Sequence, residues 1–321
     1  MKYAEVIHDS WEMTQSASKL KWFAFVPAAV AVLVFVAEVI WQMYWYSEEF
    51  GFVGEHVSVF AAIGKFINFL VEHNLILLAV FFLIFVLLFV FVLPAWIQST
   101  MILGVRHKFE KPEKYMSIRQ KMIHGFDHFF KLFELNAILA PFQFLTIMFF
   151  LLTFFRIFHD SLFKLLSPII IVYIICAFFI NMFFSFAPFF IVCKKEPLGL
   201  AIRRSIGLVF LNFGRTFAVI LLMLLVNVRI IVNVLVILGV PFGLLIAITY
   251  FASSAWLGLA IFVSVIIGIV AIGFASYLTA IIEVFSVAVW ERTYTTLVEE
   301  QDELADKETD NEEFDQFDEQ A

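Results

Sequence analysis

The chain has 321 residues, 63% of them hydrophobic and 15% charged, with a mean hydropathy of +0.96 and a formal net charge of −7. Soluble domains carry about 45–50% apolar and about 25% charged residues, so the composition excludes a soluble globular domain. The apolar residues fall into six blocks, 22–46, 75–103, 135–155, 167–193, 216–238 and 256–290. Each reaches the roughly 20 residues that carry a helix across about 30 Å of hydrocarbon. The expected fold is therefore an all-α polytopic bundle of six spans.

Residues 3–19 form an amphipathic stretch ahead of the first span. No small-residue cleavage site follows a short apolar region there, so the segment from Trp22 is expected to be retained as a span. Trp41, Tyr44, Trp45 and Tyr46 make an aromatic belt at its outer end, and Glu38 lies within it. The loop 47–74 holds Glu48, Glu49, Glu55 and Glu72 against Lys65 alone. Pro94 stands near the inner end of the second span. The basic segment that follows carries Arg106, Lys108, Lys111, Lys114, Arg119, Lys121 and Lys131.

A second amphipathic stretch, 117–132, leads into the third span. Its apolar Ile118, Met122, Ile123, Phe126, Phe129, Phe130 and Phe133 recur near the helical period. Pro141 falls in the third span, a short loop passes His159 and Asp160, and the fourth span contains Asn181 and Pro188. Cys176 and Cys193, the two cysteines, lie on that span about 25 Å apart along a helix, beyond disulfide reach. Lys194, Lys195, Arg203, Arg204 and Arg215 then surround a third amphipathic stretch, 198–213.

The fifth span carries Arg229 and Asn233. Gly239-Val240-Pro241-Phe242-Gly243 follows, and either ends that span ahead of a turn at Ser253-Ser254 or makes a hairpin that adds a seventh span. The last span contains Glu283 and ends at Trp290. Residues 299–321 hold twelve acidic residues and one lysine, a net of −11, which leaves +4 for the remainder. That tail should be disordered, and it is the segment that would recruit a basic protein partner.

Basic loops alternate with acidic or uncharged ones, and the positive-inside rule puts the basic loops and both termini in the cytoplasm. Membrane lipids are the expected partners. No nucleic-acid partner and no cofactor is expected, and the chain should not be an enzyme, since no H-E-x-x-H, G-x-S-x-G or P-loop pattern occurs.

Two sets of residues are candidates for chemistry. His124, Asp127 and His128 stand at i, i+3 and i+4, which would place them on one helical face. A metal needs a further ligand, and only His107 is near in sequence, so no metal site is expected. Arg229 falls near mid-membrane, where a lone charge costs at least about 2.5–3.5 kcal/mol, so it should face the bundle interior and pair. Glu38 is the first choice of partner, with Glu283, Asn233 and Asn181 completing a polar centre. That centre reads either as an ion pair fixing helix packing or as an anion or headgroup pathway.

The chain also reads as a repeated unit of amphipathic helix and two spans, over 1–103, 104–193 and 194–298. Ile7-His8-Asp9-Ser10, Ile123-His124-Gly125-Phe126 and Ile202-Arg203-Arg204-Ser205 mark the three copies. Together, Ser10-Trp11 ahead of Leu20-Lys21-Trp22, the stretch Glu196-Pro197-Leu198-Gly199-Leu200-Ala201-Ile202-Arg203-Arg204-Ser205, the 239–243 segment and Ala288-Val289-Trp290-Glu291-Arg292-Thr293-Tyr294 carry a resemblance. The chain resembles a broad group of prokaryotic six-span proteins of unknown function, similar to the membrane domain accompanying some glycerophosphodiester phosphodiesterases. The resemblance covers residues 1 to 298 and implies a fold and a membrane location. The catalytic domain of those enzymes has no counterpart in this chain.

Overall fold

The computed structural model describes residues 3–49, 68–73, 75–87, 92–110, 117–157, 160–251 and 254–318, and among them every regular element is helical. In chain order these are α1 (Tyr3–Ser16), α2 (Ser18–Glu49), α3 (Ile76–Leu87), α4 (Leu93–Glu110), α5 (Ile118–Phe126) and α6 (Phe129–Leu139). After a 3-10 turn at Ala140–Phe142 come α7 (Phe144–Ile157), α8 (Asp160–Phe183), α9 (Ala187–Cys193), α10 (Leu198–Leu211), α11 (Phe213–Phe251) and α12 (Ser254–Asp318).

Four segments among the described residues are long and apolar enough to cross a membrane: Ser18–Val39, Phe129–Phe154, Leu166–Cys193 and Phe262–Glu303. A fifth would be Leu198–Leu211 with Phe213–Val226, two helices bent by 100° at Asn212. The expected second span is represented by α3, which is apolar but short, and by α4. Much of the acidic loop 47–74, with His159 and Ser253, lies outside the described residues.

Three departures from the sequence reading have local causes. The helix does not break at 239–243, because α11 runs 39 residues through it, about 58 Å. A proline removes one backbone hydrogen bond, which a long apolar helix tolerates; Pro27 and Pro168 are likewise inside α2 and α8. The third span does break, at Pro141. Its freed carbonyls are taken by α8, where Tyr173 Oη donates to Pro141 O at 2.7 Å and Asn181 Nδ2 to Phe142 O at 2.7 Å. Lastly, α12 continues helically through the acidic residues to Asp318, where composition predicts disorder. Glu, Gln, Ala and Lys are good helix formers, and extending an existing helix needs no new nucleus.

The chain divides into two compact units that cut across the three sequential segments. One contains residues 21–94 and 229–282. Its core joins Val32 and Ala275, with Phe35, Val36, Ile237 and Ile272 around them.

The other unit contains residues 1–20, 95–228 and 283–321. Here α4 is enclosed along its middle, with Ala95, Ile97, Ser99, Thr100, Met101, Ile102, Gly104 and Val105 all buried. Trp96 Nε1 donates to Met122 O at 3.0 Å, and Asn136 Nδ2 to Gln98 Oε1 at 2.9 Å, so α4 binds both α5 and α6. Helix α1 packs Val6 against Val219, Met223, Phe285 and Val289.

The short helices α1 and α10 share one burial pattern: Val6, Ser10, Met13 and Thr14 are buried in the first, and Ala201, Ser205, Leu208 and Val209 in the second. That spacing is one stripe of a helix. In both helices the chain leaves the helical conformation seven residues after the serine, at Ala17 and at Asn212.

Gly125 shows why its position must be small. A Cβ there would stand 2.4 Å from Thr100 Oγ1 and 3.1 Å from the Thr100 amide nitrogen. Gly125→Ala should therefore destabilise the protein by about 1–3 kcal/mol, through forced separation of α4 and α5. Gly207→Ala, which meets nothing within 4 Å, should instead be neutral or gain up to about 1 kcal/mol of helix propensity. Thermal unfolding of the two variants in mild detergent checks this, and equal effects would contradict it.

Candidate functional site

Charged residues of the larger unit gather where α4 and α9 end, beside the middle of α12. Tyr294 of α12 is enclosed by three rings of the α8–α9 segment. Its centroid lies 5.0 Å from Phe190, 5.6 Å from Phe189 and 6.3 Å from Phe186. Phe186 in turn meets Trp290 edge-on at 5.5 Å. Tyr294 Oη is buried with no hydrogen-bond partner.

Ionic contacts surround this aromatic knot. Arg106 Nε bonds Glu110 Oε1 at 2.5 Å, and the same guanidinium neighbours Cys193 and Glu291. Glu291 is 3% exposed and accepts from Thr295 Oγ1 at 3.0 Å. Arg292 lies over the Phe109 ring, 5.7 Å from its centroid, and reaches Asp9 of α1 at 3.5 Å. Arg215 at the start of α11 pairs with Glu300, and Arg204 of α10 pairs with the buried Glu196.

The backbone is held by the same side chains. Between α8 and α9 the chain turns at Phe184–Phe186, where Ser205 Oγ donates to Phe183 O at 2.6 Å and accepts from the Phe186 amide at 3.2 Å. After α9, Lys195 takes φ 57°, the one positive value among the described non-glycine residues. The left-handed region costs an L residue roughly 1 kcal/mol or more. Lys131 Nζ of α6 donates into that turn, to Lys195 O at 3.4 Å and Glu196 O at 3.2 Å.

No known family, curated protein or solved structure matches the chain.

The residues singled out in the sequence fall elsewhere. Backbone atoms of Arg229 and Asn233 are helical in α11, but their side chains, and with them the expected Arg229–Glu38 pair, lie outside the described residues. Glu38 accepts from Gln42 Nε2 at 2.9 Å, one turn on along α2. Glu283 is half-buried on α12, in the other compact unit from Glu38. The Asn181 amide serves the Phe142 carbonyl and its own turn at Ala177.

His124, Asp127 and His128 do not share a face. The helix ends at Phe126, and the 127–128 turn sends His128 into the protein, 6% exposed. His124 and Asp127 stay 60% and 68% exposed, with Nδ1 and Oδ2 3.8 Å apart, too far for a hydrogen bond. Among the described residues no three His, Cys, Asp or Glu groups are placed to hold a metal ion.

Glu196 and Tyr294 were missed in the sequence. A signal for Glu196 existed, because it is the sole carboxylate between Lys194 and Arg215. Tyr294 offered none.

Burial is the main cause that pushes the His128 imidazole below its ordinary value, and the Lys131 ammonium adds to it. A folded-state value below the unfolded one means the unfolded chain binds more protons on acidification. The stability linked to His128 is thus present above about pH 6.5 and lost as pH falls through the folded-state value. Unfolding temperature should fall more steeply between pH 7 and pH 5 in the wild type than in His128→Gln. Parallel profiles would contradict the assignment.

Proposed function

We propose that the chain is a non-enzymatic integral protein of a prokaryotic cytoplasmic membrane, with a role in membrane organisation, scaffolding or assembly. In this reading it has six spans with both termini inside, and α1, α5 and α10 are amphipathic helices at the inner interface. The fold would then be that of the six-span group it resembles in sequence.

One observation carries the reading. Several charged side chains of the larger unit tie separate helices together, as Arg215 to Glu300, Arg292 to Asp9 and Lys131 to the carbonyls of the Lys195–Glu196 turn do. A catalytic or transport site keeps polar groups available to a ligand, whereas these brace a platform. Such a platform, with a long acidic helix leaving it at α12, suits a protein that holds others in place, the acidic residues 299–318 meeting a basic partner.

The second reading, transport or lipid handling at a polar intramembrane centre around Arg229, has one observation in its favour. Glu38 and Gln42 form a polar pair within an otherwise apolar stretch of α2.

Reconstitution separates the two. Proteoliposomes of the full chain should pass chloride, phosphate and sulfate no faster than empty vesicles. Removing the protein from cells should instead change the membrane complexes seen by native electrophoresis. An anion flux that Arg229→Leu abolishes would overturn the scaffold role and replace it with the second reading.

A further inference from the structure

The turn between α9 and α10 places Lys194 and Lys195 side by side, and Lys131 of α6 brings a third ammonium to the carbonyl of Lys195 at 3.4 Å. No nearby carboxylate forms an ion pair with these lysines among the described residues. Glu196 is paired with Arg204, Asp127 lies beside His124, and Glu134 is exposed one turn along α6. Lys194 lies over the Phe190 ring at 6.0 Å from the centroid, and Lys195 has no carboxylate partner among the described residues. Arg203 adds another exposed cation on α10.

Two features go beyond a solvated basic loop. Lys195 occupies a left-handed position that glycine would fill without strain, and the turn is secured by a lysine rather than by a neutral donor. Like charges are thereby concentrated where the backbone alone would not require them. An anion at this point would relieve the repulsion and use the ammonium of Lys195 that the strained backbone presents.

Apolar groups lie next to this charge. Phe130, the neighbour of Lys131, is 73% exposed, and Phe126 one turn earlier is 55% exposed. An aqueous anion has no use for them, but a lipid offers a phosphate to the lysines and acyl chains to the rings. We propose that Lys194 and Lys195, with Lys131 bracing the turn, bind the headgroup phosphate of an anionic inner-leaflet lipid, and that Phe126 and Phe130 meet its acyl chains. The inference rests on the inward orientation proposed above but not on the scaffold role.

The test uses the full chain in detergent micelles, where orientation does not enter, so failure of the topology leaves this result intact. Native mass spectrometry after mixing with equal phosphatidylglycerol and phosphatidylcholine should show retention of the anionic lipid. Lys195→Gly removes one ammonium and relieves the backbone, so retention should drop about fivefold while the unfolding temperature stays the same or rises. Millimolar inorganic phosphate should not displace the lipid. Equal retention of the two lipids, or undiminished retention in Lys195→Gly, would overturn the proposal. Displacement by inorganic phosphate would overturn the lipid as the source of the phosphate.

Discussion

Close approach between short helices and the helix ends they lie against is the constraint on which the larger unit depends. Apolar chains gain little by leaving lipid for another apolar surface, so helices in a membrane associate through van der Waals packing and hydrogen bonds. Packing of that kind demands small residues where backbones meet. Gly125 meets the Thr100 backbone, Ser205 bridges the ends of α8 and α9, and Ser10 is wholly buried in α1. Larger side chains three and four residues on then fill the space beyond.

Once the short helices are fixed, the breaks beside them need polar partners, because an unsatisfied backbone group is expensive in an apolar setting. The partners come from elsewhere in the chain. Tyr173 and Asn181 serve the break at Pro141, Ser205 serves the one before α9, and Lys131 serves the turn at Lys195. Ion pairs finish the bracing, with Arg292 joining α12 to α1 over a separation of 283 residues. First and last helices are thus held by the same junction as α4 and α9.

Much of this was legible in composition and period. Apolar blocks gave an all-helical chain with helices fit to cross a membrane. What failed was local chemistry judged without its surroundings. Gly239 to Gly243 reads as a breaker, yet a helix already formed on both sides runs through it. Asp127 and His128 read as one face, because nothing in the sequence says that Gly125 is pressed against Thr100 and that the chain turns just after it. The enclosed Tyr294 depends on the meeting of α12 with the distant α8–α9 segment, which one sequence does not reveal.

Whether the α1 stripe faces protein or lipid decides the account most directly. Ser10 is 0% exposed and its hydroxyl has no partner, so Ser10→Ala should leave stability unchanged or slightly raised. Ser10→Leu must force α1 away from its neighbours, and thermal unfolding in detergent should show a loss of about 1–3 kcal/mol. A helix whose stripe merely rested on lipid would welcome the leucine. An unfolding temperature that is equal to or above wild type in Ser10→Leu would contradict the packed junction.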